Sequence, residues 1–345
     1  MKVLLTFQPG PDDWPLIARS WPAEVMPVML RSSRAADDSG TDVPSPVTLV
    51  DEVDDVEAFV GHMRGAQLDL VRLAARLRLI HTLGHGVDAL LSTEARALLC
   101  SRDIAVARAN PASITIAEFT IMNMIALSRR VISVHSALVQ RGDWSTHAKA
   151  RRSTGVLGGE LYGKVLGLVG YGNIGHEIHV RARAFGMTVG ALVRRQHAST
   201  GLDFQCQDVA DFLGRCDYVV LCAPLTPTTR HLINAERIAR MKDGAYLLNV
   251  SRGPLLDESA LHDALRSGKL AGAALDVWDV EERGGPLAGY PSAHVFHDLN
   301  VVMTPHYSGA TRESRERAFT AVGRNLRRLI DGEPLHDVVD LNRSF

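Results

Sequence analysis

Three residues in the second half of the chain have the types and placement to carry out one reaction. Arg252 stands in NVSRGPLLD (249–257), Glu281 in AGAALDVWDVEE (271–282) and His306 in VVMTPHYSG (301–309). Each follows a run of small and branched apolar residues that reads as a buried strand. Ligands of open parallel sheets bind outside the carboxyl ends of the strands, so the three positions converge on one crevice. Arginine grips a carboxylate through two parallel hydrogen bonds. Histidine gives or takes a proton near neutral pH. A glutamate beside it orients the imidazole and stabilises its protonated form. Such a set suits reduction of a carbonyl that lies next to a carboxylate. Taken singly, each residue also has a structural use: a surface ion pair for Arg252, a packed core imidazole for His306, a solvated acid in the DVEER loop for Glu281.

A fourth feature supplies the redox partner. Gly170, Tyr171, Gly172, Asn173, Ile174 and Gly175 form GxGxxG, between the apolar run VLGLV (165–169) and the helical stretch HEIHVRARAFG (176–186). The first glycine makes the tight turn, and the second lets backbone approach a pyrophosphate. The third lets helix pack on strand, with the helix N-terminus facing the anion. That context predicts a dinucleotide site. An acid that accepts both ribose hydroxyls of NAD is expected at the end of the next strand. Val193 stands there, followed by Arg194 and Arg195. Loss of the acid removes a repulsion, and two cations suit a 2′-phosphate. NADP(H) is therefore the expected preference, with NAD(H) as the second cofactor.

The elements that position these residues are legible as a rhythm. From residue 164 onward, Val/Leu/Ile-rich runs (KVLGLVG, TVGALV, YVVLCAP, AYLLNV, GAALDV, VVMTPH) alternate with helical patterns. Continuous apolar strands between helices predict an α/β fold with a parallel sheet covered on both faces. The N-terminal third has a weaker βα rhythm, with MKVLLTF as a first strand and LRLIHTLG (77–84) as a later one. Two α/β domains with a cleft between them are expected. RSSRAADDSGTDVPSP (31–46) reads as a polar loop. IAEFTIMNMIALSRRVISVHSALV (116–139) reads as one long helix. Phe119, Ile121, Met122, Met124, Ile125 and Leu127 cover most of its circumference, so it is expected to be buried between domains or subunits.

Composition narrows the function. A net charge of −1 without a basic tract argues against nucleic acid as a partner. No apolar run approaches the length of a membrane helix, and the N-terminal run is too short for a signal peptide. Cys100, Cys206, Cys216 and Cys222 form no CxxC pair, so reduced thiols in the cytoplasm are expected. Cys216 and Cys222 lie on a strand pattern. His176 and His179 sit one turn apart, but HEIH is not a zinc motif and no metal is expected. Trp144 in RGDW suits either a substrate-pocket wall or a packing anchor.

The chain resembles the D-isomer-specific 2-hydroxyacid dehydrogenases, a family that includes glyoxylate/hydroxypyruvate reductases, phosphoglycerate dehydrogenases and formate dehydrogenases. The resemblance runs from about residue 77 to the end. LGHGVD (83–88), ITIAEF (114–119), RGDW (141–144), LYGKVLGLVGYGNIG (161–175), APLTPTTRHLI (223–233), NVSRGPLLDESAL (249–261), AGAALDV (271–277) and TPHYSG (304–309) carry it. It implies two Rossmann-like domains: a discontinuous, flavodoxin-like substrate domain (1–112 and 308–345) and a dinucleotide-binding domain (113–307). It implies Arg252, Glu281 and His306 as the catalytic trio, and substrate carboxylate held near Gly84, His85 and Gly86 together with Arg252 and His306. On the cofactor side it implies Asp276 by the nicotinamide carboxamide, backbone at Val250 and Ser251, and the Cys222-Ala223-Pro224 loop near the adenosine. It further implies a homodimer built across 116–139, with a small 2-oxo or 2-hydroxy acid as the substrate. One departure stands out: Glu282 follows Glu281 where the family has proline. Two other readings stay open, a dinucleotide-sensing regulatory protein of the same fold and a formate-type dehydrogenase. The intact trio argues against the first, and Glu281 in place of a glutamine partner argues against the second.

Overall fold

The computed structural model describes residues 1–30, 48–61, 68–84, 86–87, 90, 92–150, 157–196, 200–279, 291–292, 294, 296 and 298–342. The polar stretch 31–46, His85, Glu281 and Glu282 lie outside the described residues. The chain divides into two units, Met1–Ala112 with Ala310–Phe345, and Ser113–Gly309.

The first stretch holds β1 (Lys2–Leu5), α1 (Asp13–Ser20), β2 (Met26–Leu30), β3 (Thr48–Val50), β4 (Ala58–Val60), α2 (Leu68–Leu73), β5 (Leu79–Thr82), α3 (Thr93–Ser101) and β6 (Ala105–Arg108). The second unit begins with α4 (Ser113–Ser128), α5 (Val131–Arg141), α6 (Ser145–Ala150), β7 (Val165–Val169), α7 (Asn173–Ala184), β8 (Thr188–Leu192) and β9 (Phe204–Cys206). It continues with α8 (Val209–Arg215), β10 (Tyr218–Leu221), α9 (Ala235–Arg240), β11 (Ala245–Asn249), α10 (Glu258–Arg266), β12 (Leu270–Leu275) and β13 (Val301–Met303). The chain then returns to the first unit as α11 (Arg312–Asp331).

Every strand pairing in both sheets is parallel. The first unit's sheet runs β3-β2-β1-β4-β5-β6. Leaving aside the short edge strand β3, the other five follow the flavodoxin-like order. Its strands bury both faces. Leu4, Phe59 and Ile80 join one core, while Val3, Leu5, Ala58, Val60 and Leu79 join the other. Successive side chains point to opposite faces, so burial on both sides requires unbroken apolar runs. Helix α11 lays Phe319, Val322, Leu326 and Leu329 on the second core at helical spacing. Thr311 and Ser314 cap its start, and Gly332 ends it at φ 69°. Arg315 reaches back to the buried Asp13 at the start of α1.

The second unit's sheet runs β13-β12-β11-β10-β7-β8-β9, the doubly wound dinucleotide-binding order extended by one strand. The helix expected over 116–139 is two helices. Gly159 N–H donates to the Ser128 carbonyl, the acceptor that Ile132 N–H would need to continue α4. Arg130 then turns left-handed at φ 50° and starts α5 in a new direction. The two helices also differ in burial. Ile121, Met124 and Leu127 of α4 are buried, but its Met122, expected to be buried with them, is 49% exposed; on α5, Val131, Ile132, Val134, Leu138 and Val139 are exposed. The strand pattern expected for Cys216 and Cys222 does not include them. Cys216 caps α8, and Cys222 follows the end of β10. The short strand β9 was not anticipated.

In the first unit, His81 on β5 is fully buried. Its Nδ1 faces the Thr82 carbonyl at 2.9 Å, and Asn325 Nδ2 on α11 donates to its Nε2 at 3.0 Å. These partners fit the neutral Nδ1–H tautomer. Burial pushes its pKa down to about 4, against smaller upward pulls from the Thr82 carbonyl and Asp337. The folded value lies below the unfolded one, so the unfolded chain binds the proton first and stability falls with falling pH. Between the unfolded value near 6.5 and about 4, this one group withdraws roughly 3 kcal/mol. We expect urea unfolding across pH 7 to 4.5 to show a shallower decline for His81→Gln than for the parent. Equal slopes would mean that His81 is not buried as the neutral imidazole.

Candidate functional site

The turn that carries His306 is built around one carboxylate. Asp276, just beyond β12, is 2% exposed. Its backbone carbonyl accepts the His306 N–H at 2.8 Å. Its Oδ1 accepts the Tyr307 N–H at 2.7 Å and the Thr304 hydroxyl at 2.6 Å, and its Oδ2 accepts the Ser308 N–H at 3.0 Å. Successive N–H groups from 306 to 308 thus point at one residue, the concave arrangement that receives anions. His306 adopts φ 55°, uncommon for a residue with a side chain. The three hydrogen bonds hold it there and leave the imidazole exposed. Trp278 Nε1 donates to the Thr304 carbonyl at 3.0 Å, which fixes the end of β13 to the same strand exit.

Arg252 is placed by the neighbouring strand. β11 ends at Asn249, whose Oδ1 accepts the Ser251 N–H and hydroxyl at 3.2 Å each. Its Nδ2 donates to the Arg252 carbonyl at 2.9 Å. The Asn249 carbonyl accepts the Asp276 N–H at 3.1 Å. The exits of β11 and β12 are therefore joined, and the turns bearing Arg252 and His306 are tied to a common frame. Arg252 Nη1 donates to the Ser251 carbonyl at 2.8 Å, and the side chain is half-buried. Gly253 is required beside it. A Cβ there would lie 2.0 Å from the Trp278 carbonyl carbon, so no side chain fits between the two strand exits.

Glu281 lies outside the described residues, so its relation to His306 is not part of this geometry. The described residues on either side of it are anchored by a residue the sequence reading passed over. Glu258, at the start of α10, accepts the Asp279 N–H at 3.1 Å through Oε1 and the Ser292 hydroxyl at 2.6 Å through Oε2. Asn249 was overlooked for the same reason: each sits inside a matched motif where a neighbour carries the charge. The available signal was an amide or carboxylate at a strand exit or helix start, where orphan backbone groups need partners.

The glycine loop divides its roles as a pyrophosphate cradle requires. Gly170 has φ 94°, and a Cβ there would lie 2.9 Å from Ala223 Cα. A Cβ on Gly175 would meet the Gly170 carbonyl at 3.0 Å, so helix and loop pack closely. A Cβ on Gly172 would meet nothing within 4 Å, which leaves an open approach at the N-terminal cap of α7. These residues fit a bound dinucleotide phosphate. Asn173 is exposed there and Ile174 half-buried. Cys222 lies beneath the loop, its Sγ 3.1 Å from the Gly170 carbonyl, and burial pushes its thiol up to about 12. Ala223 is half-buried, and Pro224, exposed, accepts the Thr229 hydroxyl at 2.8 Å. Val250 and Ser251 are buried at the exit of β11.

Beyond β8, Val193 is 7% exposed and its N–H donates to the Cys206 carbonyl. Arg194 and Arg195 are exposed, and Gln207 Nε2 holds the Arg194 carbonyl at 2.8 Å. In the first unit, Gly84 accepts the Thr82 hydroxyl at 2.9 Å. Gly84 and Gly86 are half-buried at the exit of β5. His179, considered with His176 as a metal pair, instead bonds the Tyr171 hydroxyl through Nδ1 at 2.8 Å. Trp144 is 70% exposed.

Comparison with known proteins places this site. Residues 121–308 match the model of the D-isomer specific 2-hydroxyacid dehydrogenase family, NAD binding domain. The chain is 35% identical over 298 residues to a glyoxylate reductase of Thermococcus kodakarensis, covering 85% of each protein. It is 34% identical over 278 residues to a D-3-phosphoglycerate dehydrogenase of Methanocaldococcus jannaschii; the match covers 79% of this chain and 49% of that longer protein. A D-isomer specific 2-hydroxyacid dehydrogenase from Xanthobacter autotrophicus Py2, solved with NADPH and MES, superposes with a TM-score of 0.72 at 26% identity, over 100% of this chain and 99% of that one. With a glycine cradle at the exit of β7 and arginine and histidine turns at the exits of β11 and β13, the chain belongs to the D-isomer specific 2-hydroxyacid dehydrogenase family.

Proposed function

We propose that this protein interconverts a 2-oxo acid and a D-2-hydroxy acid, with glyoxylate or hydroxypyruvate as substrate and NADPH as the preferred cofactor. The observation that carries the reading is the Asn249–Asp276 link, which ties the turns of Arg252 and His306 to adjacent strand exits. The bound nicotinamide dinucleotide supplies the hydride. Arg252 holds the substrate carboxylate through its fork and polarises the keto oxygen. Protonated His306 delivers its proton from the imidazole to the forming alkoxide. Glu281 keeps that imidazole protonated and oriented. Backbone near Gly84, His85 and Gly86 completes the grip on the carboxylate. Asp276 holds the His306 turn in place, and charge aimed at the developing alkoxide is the larger part of such catalysis.

Removal of the general acid is expected to be severe. His306→Ala should lower turnover of glyoxylate or hydroxypyruvate by about 100-fold or more. Asp276→Asn puts an NH2 group against a backbone N–H. It should destabilise the protein by about 1.5–3 kcal/mol, the scale of a hydrogen bond to a charged group. It should also lower turnover, because a small displacement of a catalytic group is costly. Steady-state rates with a panel of 2-oxo acids and both reduced cofactors test these points. Near-parental turnover in His306→Ala, or no turnover of any 2-oxo acid by the parent, would sink the assignment.

The cofactor preference rests on the exit of β8. The buried Val193 offers no acceptor to a ribose hydroxyl, and the exposed Arg194 and Arg195 supply charge for a 2′-phosphate. A charge-assisted hydrogen bond is worth roughly 1.5–3 kcal/mol, and about 1.4 kcal/mol is tenfold. NADPH should be favoured over NADH by about tenfold to several hundredfold in kcat/KM. Arg194→Ala with Arg195→Ala should erase most of that margin, chiefly through KM for NADPH. Equal use of NADH by the parent would place the arginines elsewhere.

The exposed apolar side chains of α5, Val131, Ile132, Val134, Leu138 and Val139, support a homodimer built on this helix. Light scattering at micromolar concentration should give the mass of two chains; the mass of one would refute the dimer.

A further inference from the structure

Tyr171 is the second residue of the glycine motif, and His179 stands one turn from His176 on the helix that follows. The structure joins them. His179 lies in α7, one turn beyond Gly175, and is 6% exposed. The Tyr171 hydroxyl is 2.8 Å from His179 Nδ1 and 3.4 Å from the Thr200 carbonyl. Gly201 lies against the ring: a Cβ there would be 3.7 Å from His179 Cε1. Burial, then Arg183 and His176, lower the His179 pKa, while Asp203 and the Gly201 backbone pull it up. The imidazole is thus held neutral. The Tyr171 hydroxyl has one hydrogen, so giving it to the Thr200 carbonyl leaves its oxygen to accept from His179 Nδ1–H.

Burying the His179 imidazole, and half-burying the Tyr171 phenol, costs more than burying a leucine and a phenylalanine would, unless their polar atoms are paired. Here they are paired, and the pairing has direction. One end is the second residue of the loop whose glycines form the cradle. The other end is the chain at Thr200 and Gly201, where the connection that left β8 with Val193, Arg194 and Arg195 returns towards β9. Thr200 is itself engaged, its hydroxyl accepting the Leu202 N–H at 3.3 Å and Gln205 Nε2 at 3.4 Å. Asp203 follows, bonded by Arg183 and by the Val189 N–H of β8. The near end of the connection is fixed by the Cys206 carbonyl on Val193 and by Gln207 on Arg194.

We propose that Tyr171 and His179 are positioning residues that lock the glycine loop to the β8–β9 connection and so set how tightly the adenosine half of the dinucleotide is held. The proposal deepens the cofactor reading above and rests on it. Neither residue touches the reacting atoms, so the effect falls on cofactor affinity and leaves the chemical step alone.

The test is Tyr171→Phe, which removes only the hydroxyl. Dissociation constants for NADPH and NADH are read from nicotinamide fluorescence, with kcat and both KM values from steady state and a melting curve alongside. The dissociation constant of the tighter dinucleotide should rise between about two- and tenfold, the scale of one neutral hydrogen bond. The kcat and the KM for the 2-oxo acid should stay within about twofold. His179→Leu should give the same pattern, and the double variant should show little further loss, because the two residues share one interaction. His179→Gln, which keeps a donor and an acceptor, should retain most of the affinity. Unchanged dissociation constants in both Tyr171→Phe and His179→Leu would overturn the proposal. So would a fall in kcat at constant affinity. The parent's own NADPH-to-NADH ratio separately tests the role of the arginines, so the two readings fail independently.

Discussion

The carboxylate of Asp276 is the interaction on which the catalytic end of the second unit depends. Burying it costs several kcal/mol unless its lone pairs are filled. Two backbone N–H groups and the Thr304 hydroxyl fill them. The same bonds force His306 into a left-handed conformation that costs of order 1–3 kcal/mol. A buried charge and a strained backbone thus stabilise each other. Neither is tenable alone, and their combined product is an imidazole held outward on a fixed stem.

The parallel sheet explains why such a device can be shared between distant segments. Strands buried on both faces deliver their carboxyl ends to one edge, where backbone groups no longer have ladder partners. Asn249 and Asp276 occupy two adjacent exits and spend their polar atoms on those orphans. The close approach of the exits is then paid in side-chain volume: Gly253 faces the Trp278 carbonyl with no room for a Cβ. Deeper in the sheet, Gly167 yields the space filled by Cys216 and Phe212 in the same way.

Much of this was readable before the fold was seen, because the readable parts are those where one residue type meets one physical need. Glycines 170, 172 and 175 each answer a separate steric demand, and the strands of a two-sided sheet announce themselves as unbroken apolar runs. What stayed hidden depends on contacts from elsewhere in the chain. No local signal ends α4 at Ser128, since the cause is the Gly159 N–H taking its carbonyl. The edge strand β9 is three residues with a polar centre, short of any period. Glu258 and Asn249 look like ordinary motif polarity until their backbone partners are in place. His179 has the spacing of a ligand, and only its burial against Tyr171 shows that its Nδ1 is already committed.

The two ends of the site are held to different standards. At the exits of β11, β12 and β13 several hydrogen bonds converge on buried side chains, and a small displacement would move the His306 imidazole. At the exit of β8 Arg194 and Arg195 are exposed, and the chain there is held through main-chain contacts at Val193 and Arg194. A change of arginine there alters surface charge without opening a cavity or orphaning a buried group, the two routes by which substitutions become severe. A change at Asp276 or Asn249 does orphan buried groups. On the proposed assignment of these residues, cofactor choice is therefore physically separable from the chemistry in this unit. Tyr171, braced by His179 of α7, reaches the Thr200 carbonyl at the far end of the arginine-bearing connection, and through that contact the proposed lock acts on cradle and connection together.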